Sequence, residues 1–259
     1  MNVKAVVKVM NFHALLRVEA SRKQAERYQA MENELENMMR IVMNNRNLRL
    51  DKRIILPDAS KPVLRIFLGS DYGFCGSVNS SVSGVLCKDS SARRLVIGKK
   101  VRRPRDVELF LTQEECFSDF GPVQEYLEQV VRERKWSAVE LVYNHFYNLS
   151  SVKLITKRIY PLEALPEDEV QQRDDFEVEI DVTRLLEDMM ISYLTYEFKI
   201  AAVSAYASEN TMRQNATTES LKKLDEREEE ELRETRKMRT RKAFQKTIDS
   251  YIKQKSLNI

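Results

Sequence analysis

Few residues in this chain have the type and spacing that chemistry demands. It has three cysteines, Cys75, Cys87 and Cys116, and two histidines, His13 and His145. A nucleophilic cysteine needs a basic neighbour to hold it as thiolate, and nothing in the sequence sets either histidine beside one. Cys75 reads instead as a small, buried structural residue. No Cys/His cluster has metal-ligand spacing. Gly69-Ser-Asp-Tyr-Gly-Phe-Cys-Gly76 is glycine-rich and follows an apolar run, where a phosphate loop would stand. Gly69, Gly73 and Gly76 do not give G-x-G-x-x-G, however, and no lysine follows at the position a P-loop needs; Gly98-Lys99 lacks the upstream glycine. Carboxylates are plentiful but fall mostly on helical stretches, where a solvated face accounts for them. The basic run Arg233 to Lys242 has no interleaved aromatics, and the adjoining Glu228 to Glu231 block repels phosphate. The residues give no active site, no cofactor and no metal site, and they argue against a nucleic-acid partner.

Charge and hydropathy set further bounds. The net charge is +3 with 32% of residues charged, so no global field calls for nucleic acid or a membrane surface. No apolar run reaches the roughly 18 residues of a transmembrane helix. Met1 to Leu16 is apolar-rich but carries Lys4, Lys8 and His13 with no small-residue cleavage site, so it does not read as a signal peptide. The odd cysteine count points to a reducing compartment without a disulfide framework.

The elements that position these residues follow from where the chain can turn. All six glycines and all six prolines lie between residues 57 and 166, so the tight turns belong to that window. On either side the apolar residues keep a three-four rhythm: Tyr28, Met31, Leu35, Met38 and Val42, then Leu186, Met189, Tyr193, Tyr196, Ile200, Val203 and Ala207. Each set puts one stripe on one helix face. The expectation is two long terminal helices pairing antiparallel around an inserted domain, divided as 1–56, 57–180 and 181–259. Within the insert, Val63 to Leu68 and Val139 to Tyr143 read as buried strands. Leu95 to Ile97 and Val107 to Leu111 read as further strands. Ser77 to Val85 begins a helix, and Pro122 to Arg134 is amphipathic with proline near its first turn. Val152 to Ile159 pairs at an edge, and Leu162 to Phe176 is a surface connection. Asp181 or Thr183 caps the last helix. The fold class is α/β, a small layered domain carried on a long coiled coil.

Past Leu224 that last helix turns almost wholly charged, with Leu232 and Met238 its only large apolar residues before Ala243. It reads either as a solvated segment or as a rod touched on several sides inside a protein sleeve.

Ser70-Asp-Tyr-Gly-Phe-Cys-Gly76 with Asn79 resembles the S/T-D-x-G-L-C-G-x-x-N motif of the γ subunits of F-type ATP synthases. Ser208-Glu209 with Arg213 and Ala216 is similar to the family's S-E-x-x-x-R-x-x-A signature. Lys8-Val9 stands where the family has Q-K-I-T, Ile97-Gly98-Lys99 looks like I-G-x-K, and Val142 to Phe146 with Pro161-Leu162 follows the N-x-F and P-L pattern. The resemblance covers nearly the whole chain in order. Tyr72 replaces a common basic residue and Phe74 the usual leucine. Arg241 to Ile248 diverges from R-Q-x-x-I-T-x-E-I, which implies a matching, divergent ring or weaker coupling.

The resemblance implies a non-catalytic rotor shaft with a Rossmann-like insert, coupling ion flow to ATP synthesis or hydrolysis. The implied partners are α, β, ε and δ subunits and a membrane c-ring, with no insertion of this chain into the membrane. The implied location is the cytoplasmic face of a bacterial cell membrane. Lys8, Ser70, Asp71, Gly73, Cys75, Gly76, Asn79, Ser208, Glu209 and Arg213 become family and interface residues. Gly73 and Gly76 are expected to take backbone angles closed to other residues, and Asp71 to bond local amides. Arg233, Arg236, Arg239, Arg241 and Lys242 are expected to face acidic loops of the catalytic ring. The alternative is a scaffold that has lost rotary duty, or the rotor of a specialised second ATPase.

Overall fold

The computed structural model describes residues 3–44, 58–89, 93–102, 106–161 and 181–257. The first helix, α1 (Val3–Asn44), leads into an α/β layer: β1 (Val63–Leu68), α2 (Val78–Lys88), β2 (Arg93–Ile97), β3 (Leu109–Leu111), α3 (Gln113–Ser118), α4 (Gly121–Glu133), β4 (Ala138–Asn148) and β5 (Ser151–Tyr160). The chain closes with α5 (Val182–Leu257), 76 residues and on the order of 110 Å at 1.5 Å per residue. The surface connection expected over Leu162 to Phe176 lies outside the described residues, as does the stretch after Asn44 that the sequence reading gave to the first helix.

The sheet has the order β3-β2-β1-β4-β5. Its first four strands run parallel, and β5 returns antiparallel on β4. The continuous apolar run of β1 follows from cover on both faces. Leu64, Ile66 and Leu68 join Leu95, Ile97, Leu141 and Tyr143 in a core shared with α4 and α5. Phe67 points the other way, with Val96 and Val142, onto Val82 and Leu86 of α2. Only α3 went unforeseen. A six-residue helix shows too little periodicity to read, although Thr112 and Glu115 form a capping box at its start.

α1 and α5 run antiparallel. Lys4 Nζ meets Asp225 and Glu228 at 2.5 and 2.6 Å, Asn11 Nδ2 donates to Thr217 and Thr218 hydroxyls at 2.9 and 2.8 Å, and the Tyr28 and Tyr196 rings sit 6.3 Å apart. The α1 seam is Ala14, Val18, Ser21, Ala25, Tyr28, Glu32, Leu35, Met39 and Val42, all buried or half-buried at strict four-three spacing. This corrects the expected register. Met31 and Met38 are 54% and 57% exposed, while Glu32 and Met39 occupy the seam. Reading apolar type alone favours Met31, but the face is set by the helix phase that Ala14, Val18 and Val42 share.

The middle of α5 is buried on every side. Leu186, Met190, Leu194, Phe198, Ala201 and Ala205 pack into the core that also holds the sheet, while Ile200, Val203 and Ala207 are buried as well. A helix apolar all round is an interior helix; α5 is the spine between α1 and the sheet rather than one half of a two-helix seam. Its start is capped by Asp181, whose carboxylate accepts from Thr183 N at 2.9 Å.

Candidate functional site

The two motifs meet where the spine crosses the tips of the parallel strands. Ser70 follows β1. Its amide donates to Asn79 Oδ1 at 2.9 Å, and Asn79 Nδ2 returns a bond to Ser70 Oγ at 2.8 Å. Ser70 Oγ donates to Tyr72 O at 2.7 Å, so the turn is tied back onto the start of α2. Asp71 does not bond local amides as expected. Its carboxylate, 5% exposed, accepts from the amides of Lys99 at 2.8 Å, Gln113 at 3.0 Å and Glu114 at 3.1 Å. One carboxylate therefore fixes the loop after β2 and the first amides of α3, which have no partners inside their own helix.

The turn's backbone also differs from the expectation. Gly76 has φ +58°, but Gly73 does not enter the left-handed region; Phe74 takes φ +60° in its place. That geometry pushes the Phe74 ring outward, 77% exposed, while the carbonyl of Gly73 accepts from Arg213 Nη2 at 3.3 Å. Gly98 has φ +110°, and a Cβ there would lie 2.7 Å from the backbone carbon of Gly69. This close approach of two loops requires glycine.

From the spine, Glu209 and Arg213 form a buried ion pair one turn apart. Gln113 Nε2 donates to Glu209 Oε2 at 3.0 Å, and Arg213 Nη1 to Asn210 Oδ1 at 2.9 Å. Ser208 Oγ donates to the carbonyl of Asn144 at 2.7 Å, and Asn144 Nδ2 donates to Val78 O at 3.1 Å. Ser70, Asp71, Gly73, Cys75, Gly76 and Asn79 are thus brought together with Ser208, Glu209 and Arg213 in one network that clamps the insert to the spine. Lys8 stands apart, exposed on α1. Asn144 is the asparagine of the N-x-F pattern; sequence reasoning missed Gln113 and Asn11, since lone amides carry no spacing signal.

Cys75 is buried, within 3.7 Å of Ser70 Oγ and 3.4 Å of Asn79 Nδ2, a packing environment rather than a nucleophile paired with a base. Burial pushes the Cys116 thiol up to about 12, and Asp71 adds to the effect. A cleft of about 560 Å³ opens beside the clamp, with Arg17, Gln24, Tyr72 and Tyr206 among its lining. Among the described residues, no three His, Cys, Asp or Glu side chains are placed to hold a metal ion, and no helix is long and apolar enough to cross a membrane. Arg233, Arg236, Arg239, Arg241 and Lys242 all lie exposed on α5, C-terminal to Glu228, which pairs with Lys4 of α1. Successive residues step about 100° around a helix, so these five point to different sides.

Two terminal helices pairing as a shaft, with a parallel α/β layer clamped to one of them, define a stalk protein. The comparisons agree with that class. The ATP synthase family model matches residues 1–249. The ATP synthase γ chain of Pasteurella multocida is 28% identical over 177 residues, 59% of this chain and 60% of that one. That match spans less than two thirds of the relative's own length. The γ chain of Clostridium perfringens is 22% identical, covering 87% of this chain and 83% of that one. The central stalk of the Tetrahymena thermophila mitochondrial ATP synthase shares the fold at a TM-score of 0.56 and 21% identity, over 83% of this chain and 99% of that one. The chain belongs to the ATP synthase γ-subunit family.

Proposed function

We propose that this chain is the central rotor stalk of an F-type ATP synthase or ATPase, peripheral to the cytoplasmic face of a bacterial membrane. It divides at 57 and 180 into shaft, insert and shaft. Its partners are an α/β hexamer, ε and δ subunits and a membrane c-ring. The γ family supplies a stalk without catalytic residues of its own, so the function is mechanical. Turning presents different faces of the shaft to each catalytic subunit and shifts that subunit among nucleotide affinities, through contacts that differ between its states. The observation that carries this reading is the free end of α5. Among the described residues, no α1 side chain bonds α5 beyond Glu228, and the helix runs on from there for about 40 Å at 1.5 Å per residue. It remains helical there with charge on all sides, and even Leu232, Met238 and Phe244 are exposed. A shaft touched in turn by several subunits needs this kind of surface, because each exposed ion pair contributes only about 0 to 1 kcal/mol and no single angle traps it.

The test reverses Arg236, Arg239 and Arg241 together to glutamate. The expected result is an assembled complex that hydrolyses ATP more slowly or no longer couples hydrolysis to ion transport, while single neutralisations do little. A triple variant that couples at the normal rate across a range of salt would overturn the role of these residues. The divergent Arg241 to Ile248 stretch favours a second reading, the rotor of a specialised ATPase, which the identity of the co-purifying subunits decides.

A further inference from the structure

The insert is fastened to the spine along its length. Arg134 Nη2 donates to Glu187 at 2.8 Å and Arg132 Nη2 to Asp188 at 3.1 Å. Lys157 Nζ of β5 donates to both carboxylate oxygens of Glu197 at 2.7 Å. Ser208 bonds β4, Glu209 bonds Gln113, and Arg213 bonds the Gly73 carbonyl. These ties span residues 187 to 213 of α5, roughly 40 Å of helix at 1.5 Å per residue. The first helix is held differently. Among the described residues, the side chains of α1 that bond another element all reach α5, from Lys4 and Asn11 near its start. Met39 and Val42, near its other end, enter the core shared with the sheet.

Between those ends α1 buries little. Its seam there is mostly small or polar, with Ala14, Ser21, Ala25 and Glu32 beside Val18 and Tyr28. Large apolar side chains of its first turns stay outside, Val9, Phe12 and Leu16 being 56%, 58% and 50% exposed. Two clefts part it from the insert. One, of about 560 Å³, lies between Arg17 and Gln24 of α1 and Tyr72 and Glu114 of the insert. The other, of about 540 Å³, lies between Gln29 and Asn33 of α1 and His145 and Tyr147 of β4. Ser21 and Val203 line both, so the clefts flank one stretch of seam. Beneath it, Ile200, Val203 and Ala207 of α5 are buried yet stand apart from the sheet core.

We propose that α1 is a strap that lifts from the spine as one unit over residues 14 to 33, while the insert and α5 remain a single rigid body. Cooperative units open at free energies set by the apolar area and the bonds that each alone would lose. Lifting the strap gives up a narrow seam of small side chains and uncovers Ile200, Val203 and Ala207. It breaks none of the ties between residues 187 and 213, and it leaves Leu194, Phe198 and Ala201 in the sheet core. Separating α5 from the insert would break all of those ties and open that core, so it belongs to global unfolding. The clefts on both sides mean that the strap meets no wall of the insert as it moves. Met39 and Val42 keep its C-terminal end in place as the hinge. The insert thus keeps its seat with the strap on or off, whether or not the shaft rotates.

The test is amide hydrogen exchange on the full-length chain, read by mass spectrometry and compared with Ala30→Gly. Ala30 is exposed on α1, so the substitution weakens that helix without emptying the seam. In the unaltered chain, amides of residues 14 to 33 should exchange roughly tenfold or more faster than those of residues 186 to 213, after correction for intrinsic rates. In the variant, the whole 14 to 33 stretch should speed up together by roughly two- to fivefold, the cost of a mid-helix glycine. The spine and the insert should keep their rates. Equal protection of α1 and α5 in the unaltered chain overturns the proposal. So does a variant in which α1, α5 and the insert all accelerate alike, because the three then open as one. Acceleration confined to the residues next to position 30 overturns it too, because α1 then frays locally and does not lift.

Discussion

Replacing Asp71 with alanine is expected to destabilise the inserted domain by about 3 to 6 kcal/mol, a large share of the 5 to 15 kcal/mol that holds a typical domain. The estimate follows from what the substitution leaves behind. The amides of Lys99, Gln113 and Glu114 all lose their acceptor at once, and a buried unsatisfied donor costs about 1 to 3 kcal/mol. The carboxylate is charged and sits at the start of α3, so its bonds belong to the stronger kind. Urea unfolding followed by the fluorescence of Trp136, the single tryptophan, reads this domain directly. Asp71→Asn keeps one acceptor oxygen and should fall between. A loss below about 1 kcal/mol for the alanine variant would mean that water replaces the carboxylate and that the clamp is incidental.

The second large effect is expected at Arg213. Arg213→Met should cost about 3 to 5 kcal/mol, because it leaves the Glu209 carboxylate in the interior without its cation. Both side chains are nearly inaccessible, at 8% and 1%. The guanidinium also reaches Asn210 and the Gly73 carbonyl, so the same change releases the turn from the spine. The double variant Arg213→Met, Glu209→Gln removes the stranded charge and should recover most of the loss, since an uncharged replacement of a buried pair is often close to neutral. Equal stability of the single and double variants would show that packing, not charge, holds the junction.

How much of this was legible in the sequence depends on how far each signal reaches. The confinement of glycine and proline to the middle of the chain gave the helix–insert–helix plan, and β1 and β4 were plain because strands covered on both faces are apolar throughout. The phase of the α1 seam was harder. Leu35 and Val42 were placed rightly, but a buried Glu32 beside an exposed Met31 inverts the usual reading. The clamp was legible as motifs and not as geometry. Asp71 bonds partners 28 to 43 residues away, and nothing local in Ser70 to Gly76 shows which loops will come to it. Phe74 rather than Gly73 takes the left-handed angle, and the Gly73 carbonyl beside it accepts from Arg213 of a distant helix, a contact that nothing local in the turn announces.

Rotation itself gives the most direct test of the stalk reading. Cys87 is exposed on α2, whereas Cys75 and Cys116 are buried, so a gold rod can be attached to the insert through Cys87 in the purified complex held down by its catalytic ring. With ATP supplied, the rod is expected to turn in one direction, in steps set by the number of catalytic sites. A complex that hydrolyses ATP through many turnovers while the rod on Cys87 stays at a fixed angle would contradict the account.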